Sequence, residues 1–200
     1  MEFKTNYKVA RCSPSEPWSS SLPKYLVDID GVDELTSPPA FNCFALFFEW
    51  LENDFQWFGL FAPDLMDIPE RNSYFACPNP NQIGVITGFE VYHGTVNDPG
   101  SFRLIDPWPV DALYSFPESS TVLLSGEQDL VCIDESGPLW KVERLTPSDV
   151  IVTRCHGGKI FGCESKSAKC DTSIWKFEID LKSGEVLSDY NKYSKTIPLS

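Results

Sequence analysis

The sequence predicts an all-β protein built from antiparallel hairpins and meanders. Short apolar runs alternate with turn-forming Gly, Pro, Asn and Asp along most of the chain. The 16 Pro and 12 Gly favour short strands over long helices. The 14 Phe, seven Tyr and six Trp are residue types that are enriched in strands.

The clearest strand pattern spans residues 122–143, VLLSGEQDLVCIDESGPLWKVE. Two turns separate three apolar runs, which predicts three antiparallel strands. Within residues 122–143, an apolar strand ends in Ile-Asp and is followed by a Ser-Gly turn. The same pattern recurs at residues 177–186, and a looser copy lies at 25–31. The turns at residues 98–100, 134–137 and 180–184 are separated by about the length of one four-stranded propeller blade. We therefore predict propeller-like blades, incomplete or four in number, with a β-sandwich of two stacked sheets as the alternative.

The chain before residue 73 has a less regular pattern. Strands are predicted at residues 7–10 and 24–29. Residues 41–60 fit either a hairpin with its turn at 52–54 or a short helix across 41–51. Their many aromatic residues favour two strands, and we expect these rings to be core rather than a ligand site.

The chain from residue 73 onward is regular. The predicted strands are residues 73–77, 83–87, 89–93, 101–105, 112–116, 121–125, 150–154, 159–163, 174–179 and 185–188, besides those within 122–143. We predict one β-rich domain over residues 1–200. Its parts are an irregular N-terminal part (1–72), a regular repeat part (73–189) and a peripheral tail (190–200).

Charge and cysteine content limit the functional classes. The formal net charge of −13 argues against nucleic acid and anionic membranes as partners and is compatible with a basic protein partner. The N-terminus lacks the apolar region of a secretory signal, and no window reaches the ~18 apolar residues of a spanning helix. Seven scattered cysteines predict reduced thiols and a cytoplasmic location.

Two resemblances concern the C-terminal half. Residues 134–143 and 175–186 resemble the strand-turn-strand phrases of quinoprotein and WD-type propeller repeats. The run from 75 to 185 resembles uncharacterised bacterial proteins of similar size. The matching segments are residues 75–80, 88–92, 109–110, 139–144 and 180–184. The resemblance implies a propeller-like fold and no particular activity. It departs from the group's pattern at residues 147–150, where Pro-Ser-Asp-Val replaces a Trp-Asp-Gly.

The densest set of potential metal ligands is Cys155, His156, Cys163 and Cys170. Four such side chains within sixteen residues are compatible with zinc, but the paired C-x₂-C spacing of zinc sites is absent. Cys155 and Cys163 flank a predicted hairpin turn, which would make them cross-strand neighbours. The favoured interpretation is small buried apolar cysteines, so we assign no metal ligand.

No catalytic or cofactor-binding residue is assigned either. His93 and His156 are the only histidines, and His156 adjoins Cys155 in a strand, where the two point to opposite faces. A Cys77–His93 dyad would need a tertiary contact. The carboxylate pairs Glu49/Glu52 and Asp64/Asp67 are interpreted as a solvated acidic surface, and Asp134 and Asp180 as turn residues.

The leading functional hypothesis is a non-catalytic, cytoplasmic bacterial protein that binds a basic protein partner, as immunity or anti-defence proteins do. The first alternative is a small-molecule-binding protein or hydrolytic enzyme with a site between β-units. The second is a structural domain. No cofactor is expected, and the oligomeric state is left open.

Overall fold

The computed structural model describes residues 3–13, 15–62, 71–106, 110–164, 176–188 and 194–199. These residues form β-strands in four sheets, with single 3₁₀ turns at Glu16–Ser19 and Pro117–Ser119. Every strand pair among them is antiparallel except one. The predicted all-β architecture of antiparallel sheets is confirmed. No helix among these residues is long and apolar enough to cross a membrane.

Backbone contacts divide the chain into two compact units. The N-terminal unit is Phe3–Trp108, and the C-terminal unit is Pro109–Ser200 with Met1–Glu2. Strands before and after residue 72 share one core in the N-terminal unit. The single-domain organisation of residues 1–200 stays a prediction.

The N-terminal unit begins with a five-stranded sheet in the order β1-β4-β5-β2-β3. Its strands are β1 (Tyr7–Cys12), β2 (Lys24–Asp28), β3 (Gly31–Glu34), β4 (Phe44–Trp50) and β5 (Gln56–Phe61). Strands β4 and β5 form the predicted hairpin, so the helical alternative for residues 41–51 is wrong. Strand β2 pairs with β5 in parallel. The β2–β3 hairpin therefore lies at the edge of the sheet, next to the β4–β5 hairpin, which follows it in sequence.

The second sheet of this unit is a four-stranded meander. Its strands are β6 (Ser73–Ala76), β7 (Gln82–Thr87), β8 (Glu90–Thr95) and β9 (Asp98–Asp106). Both sheets contribute to one aromatic core. At its centre Phe48 stacks on Trp57 at 4.2 Å, Phe102 meets Trp57 edge-on, and the Trp57 Nε1–H donates to the carbonyl of Val96 at 2.8 Å. The predicted core role of the ring-rich segment is confirmed.

The C-terminal unit also has two sheets. The first, in the order β10-β11-β12-β13-β17, contains β10 (Ala112–Phe116), β11 (Thr121–Ser125), β12 (Leu130–Asp134), β13 (Gly137–Glu143) and β17 (Lys195–Pro198). The second contains β14 (Val150–His156), β15 (Lys159–Glu164) and β16 (Lys176–Asp180). The three strands predicted within residues 122–143 are confirmed as β11–β13. Residues 195–198 pair with β13 as an edge strand rather than forming only a tail, and residues 185–188 contribute a single bridge, Ile179 to Val186.

The core of the C-terminal unit is mainly aliphatic and is shared by its two sheets. Leu123 and Leu130 come from the first sheet, and Ile160 and Ile179 come from the second. In both units two sheets therefore enclose one core, which agrees with the sandwich alternative. A closed propeller stays a prediction.

Candidate functional site

The structure separates the cysteines that the sequence grouped. Cys155 lies opposite Ile160, and Cys163 lies opposite Ile151, so the prediction that they are cross-strand neighbours is wrong. The reason is the register of the Gly157–Gly158 turn, which pairs residues 156 and 159. Cys163 is disulfide-bonded and offers no thiolate. Cys170 lies outside the described residues, and within the described ranges no three His, Cys, Asp or Glu side chains are grouped to hold a metal.

The remaining described cysteines are free thiols. They are Cys12, Cys43, Cys77, Cys132 and Cys155. Burial raises the pKa of Cys43 to about 11 and raises the pKa of Cys77 and Cys132 well above the usual range. These thiols stay protonated at neutral pH and are poor nucleophiles. The disulfide at Cys163 departs from the expectation that every thiol is reduced.

The two histidines occupy opposite environments. His93 on β8 is 4% exposed, and burial, aided by the Arg103 charge across on β9, lowers its pKa to about 4. Its Nε2 has no hydrogen-bond partner among the described residues. A base with this pKa does not suit a dyad with the protonated Cys77 thiol. His156 is exposed at the end of β14, whereas Cys155 packs against the core, as expected for strand neighbours on opposite faces.

The carboxylates singled out in the sequence have structural roles. Asp134 Oδ1 accepts hydrogen bonds from the backbone N–H and the hydroxyl of Ser136. Asp180 Oδ1 accepts equivalent bonds from Ser183, which lower the pKa of Asp180. Their predicted role as turn residues is confirmed. Glu49 pairs with Lys8 at 2.9 Å, while Asp64 and Asp67 lie outside the described residues.

Sequence reasoning missed a buried ion pair at one end of the β12–β13 hairpin. The Lys141 side chain is 8% exposed, and its Nζ lies 3.0 Å from Asp129 Oδ2. The other oxygen of Asp129 accepts a hydrogen bond from the backbone N–H of Arg144, which has a left-handed φ of 55°. Each charge therefore has a partner, so we interpret the cluster as a structural clamp. No local sequence motif predicts this ion pair, because the approach of Lys141 to Asp129 depends on strand register.

The distribution of charge along the chain is strongly uneven. Residues 25–70 contain ten Asp and Glu and no Lys or Arg, and residues 104–140 contain seven and none. All sixteen cations therefore lie in the rest of the chain, which leaves the two stretches acidic throughout. The positions of Lys and Arg along the sequence reveal these two acidic stretches, whereas the total net charge does not.

The β2–β3 hairpin is the best-defined part of the first acidic stretch. Asp28 Oδ1 accepts hydrogen bonds from the backbone N–H groups of Asp30 and Gly31, which fixes the turn. Ile29, at the tip, is 66% exposed, the largest value among the exposed large apolar side chains of the described residues. The carboxylates of Asp30 and Asp33 are exposed.

The carboxylates beside Ile29 have no cationic partner in the described part of the chain. No Lys or Arg within it comes into salt-bridge range of the carboxylate of Asp30, Asp33 or Glu34. The hairpin thus presents an exposed apolar side chain at its tip and exposed carboxylates that have no salt-bridge partner in the described part of the chain. A comparison with models of protein families finds no match to this chain, and a comparison with curated proteins finds none either.

Proposed function

We propose that this protein is a non-catalytic acidic module that binds a basic protein partner, as immunity or anti-defence proteins do. The observation that carries the proposal is the β2–β3 hairpin, which has exposed Ile29 at its tip and four carboxylates, those of Asp28, Asp30, Asp33 and Glu34, along its turn and strands. Burial of an isoleucine side chain contributes about 1.5–3 kcal/mol, enough for an anchor at a contact. Carboxylates around it accelerate encounter with a positive surface and disfavour acidic competitors.

The environments of His93, Cys77 and Cys132 support binding rather than catalysis by these three groups. The low pKa of His93 and the raised pKa values of Cys77 and Cys132 place none of these groups near neutrality, where general acid–base or thiolate chemistry operates. Asp30, Asp33 and Glu34 are exposed, so their carboxylates are available to a partner's Lys and Arg side chains.

The test is capture of a partner by the whole protein at about 0.01 M and about 0.15 M salt, where the Debye length is ~30 Å and ~8 Å. We expect a stoichiometric partner with a basic surface, held less tightly at the higher salt. The variant Asp30→Lys/Asp33→Lys should lose it, and Ile29→Ser should weaken it. The matched control Glu127→Lys/Glu185→Lys makes the same charge change at exposed residues of the C-terminal unit and should retain it. A partner captured equally by both charge variants, or no partner at all, contradicts the proposal.

We also propose that the protein works in the bacterial cytoplasm. The five free thiols among the described residues support this location, because reducing compartments preserve them. The test uses the two partly exposed free thiols, Cys12 and Cys155. Cells lysed under alkylating conditions should yield protein in which both thiols are alkylated. Recovery of either residue in a disulfide would contradict a reducing location.

A further inference from the structure

We propose that β10, the edge strand of the first sheet of the C-terminal unit, binds an extended, basic-ended segment of a partner as an added antiparallel strand. This goes beyond the proposed function, because it concerns a different unit and a different mode of contact. Among the strands of the described residues, β10 pairs only with β11. Its other side therefore presents backbone N–H and C=O groups that no strand in the described part of the chain uses.

The side chains of β10 alternate between one face that packs against the core and one face that is exposed. Tyr114 and Phe116 pack against the core of the unit, whereas Leu113 is 38% exposed and Ser115 is also exposed. Its neighbour β11 is buried at every position. The pairing of β10 with β11 runs without a register shift. An added strand would therefore pair with a regular strand whose position is stabilised by core packing and by β11.

Strand β10 lacks the features that usually protect sheet edges, which are charged side chains, proline and bulges. None of its residues, Ala-Leu-Tyr-Ser-Phe, is charged or a proline. The other edges of the same unit carry such features: Lys195 and Pro198 on β17, Arg154 and a bulge on β14, and Lys176 on β16.

The edge strand β6 of the N-terminal unit is also uncharged, but its surroundings differ. Strand β6, Ser73–Ala76, follows closely after Arg71, a cation. Strand β10 lies within residues 104–140, which contain seven carboxylates and no Lys or Arg. Glu118, exposed, follows β10 directly in the turn to β11. A strand with Lys or Arg at its ends is therefore the complement of β10 and not of β6.

The same charges disfavour a second copy of this chain as the occupant. If β10 paired with itself about a twofold axis at Tyr114, Glu118 of one copy would lie beside Asp111 of the other at both ends. Each copy would also bring a formal net charge of −13. Like charges at close range oppose this pairing. We therefore assign the edge to a partner strand with basic ends.

The test uses the whole protein and the fluorescein-labelled peptide Lys-Lys-Val-Thr-Val-Thr-Val-Lys-Lys, with a version carrying Glu in place of every Lys as the control. At about 0.01 M salt we expect the Lys peptide to bind with a submillimolar dissociation constant by fluorescence anisotropy, and the Glu peptide not to bind. Hydrogen exchange should slow at the alternate backbone amides of Ala112–Phe116 that point away from β11 when the Lys peptide is present, because an added strand accepts hydrogen bonds from those amides.

A charge-reversal pair separates an effect at this edge from a general effect of charge. Glu118→Lys should weaken binding of the Lys peptide about fivefold, as expected for reversal of one exposed charge beside a cation. Glu185→Lys makes the same change next to Gly184, which lies against Trp140 of β13 and Thr196 of β17 on the far side of the sheet from β10. It should therefore alter binding less than Glu118→Lys does. Both residues are exposed, so both variants should fold.

Four results would overturn the proposal: no binding of the Lys peptide, binding without slower exchange in β10, equal effects of the two reversals, or slower β10 exchange with rising protein concentration alone. The last result would assign the edge to a second copy. None of them bears on the β2–β3 hairpin, whose variants are tested separately with the captured partner.

Discussion

The two units build the same kind of core from different side chains and different connections. Nineteen of the 27 aromatic residues lie in the N-terminal unit, and they dominate its core. The core of the C-terminal unit is mainly aliphatic around Trp140. Strands β10–β13 and β14–β16 each pair in chain order, whereas the order β1-β4-β5-β2-β3 requires pairing between distant segments. The comparison indicates that the N-terminal unit, in which strands distant in sequence pair, is also the unit with the more aromatic core.

Removing the central tryptophan of each unit should give the largest effects. Trp57→Ala should lower the free energy of unfolding by about 5 kcal/mol, and Trp140→Ala by about 3 kcal/mol. Both indoles are buried and both donate a hydrogen bond to a carbonyl. Within the described part of the chain, only Trp57 of the two also has a stacked ring and edge-on rings around it, and each such pair adds roughly 0.5–1.5 kcal/mol.

The measurement is urea unfolding followed by circular dichroism, with Trp57→Phe as the control that keeps a ring and loses the N–H donor. An equal cost for the two alanine variants, or a greater cost at Trp140, would show that the aromatic cluster adds nothing specific to the N-terminal unit.

Acid should weaken the N-terminal unit through His93. The folded-state pKa is about 4 and lies below the unfolded value of about 6.5, so the unfolded chain binds the proton first as pH falls. The stability gained by keeping His93 neutral is complete above pH ~6.5. It is lost progressively down to pH ~4, by about 3 kcal/mol in total.

The check on His93 is the difference in unfolding free energy between the natural chain and His93→Gln, measured at about pH 7.5 and about pH 4.5. Because both chains carry the same carboxylates, their titration cancels in the difference. We expect the natural chain to lose more stability than the variant, and a difference that does not change with pH would argue against a buried neutral imidazole.

The smallest effects concern glycines that lie beneath phenylalanine rings. A Cβ on Gly84 would lie 2.0 Å from the Phe75 ring, and a Cβ on Gly162 would lie 2.1 Å from the Phe177 ring and 2.2 Å from the carbonyl oxygen of Ile151. We expect Gly84→Ala and Gly162→Ala each to cost about 1–3 kcal/mol in thermal or urea unfolding, because overpacking forces side chains from their preferred rotamers.

A second substitution should distinguish the two glycines. Phe75→Leu should recover part of the cost of Gly84→Ala, since the three atoms nearest to the new methyl group all belong to the Phe75 ring. Phe177→Leu should recover less for Gly162→Ala, because the carbonyl of Ile151 still obstructs it. Equal recovery at both sites would mean that the backbone near Gly162 shifts easily.

The sequence predicted the C-terminal unit more completely than the N-terminal unit, for a physical reason. In residues 122–143 each turn joins strands that pair directly, so local periodicity determines the topology. The parallel pairing of β2 with β5 and the boundary at Trp108 depend on contacts between distant segments, which no local pattern contains.

The candidate binding surface was only partly predictable. The Asp-Gly turn after residue 29 was evident, but the exposure of Ile29 depends on which face of β2 meets the core. The pairing of Lys141 with Asp129 and the low pKa of His93 likewise follow from burial that single-sequence patterns do not specify.

The measurement that tests the binding proposal most directly is the association rate with the captured partner as a function of salt. It compares the natural chain with Asp30→Asn/Asp33→Asn in the N-terminal unit and Glu127→Gln/Glu185→Gln in the C-terminal unit. Each pair removes two exposed negative charges. We predict that the hairpin pair slows association several-fold at about 0.01 M salt and flattens its salt dependence, while the other pair changes it little. Equal slowing by both pairs, or an association rate independent of salt, would contradict binding through the β2–β3 hairpin.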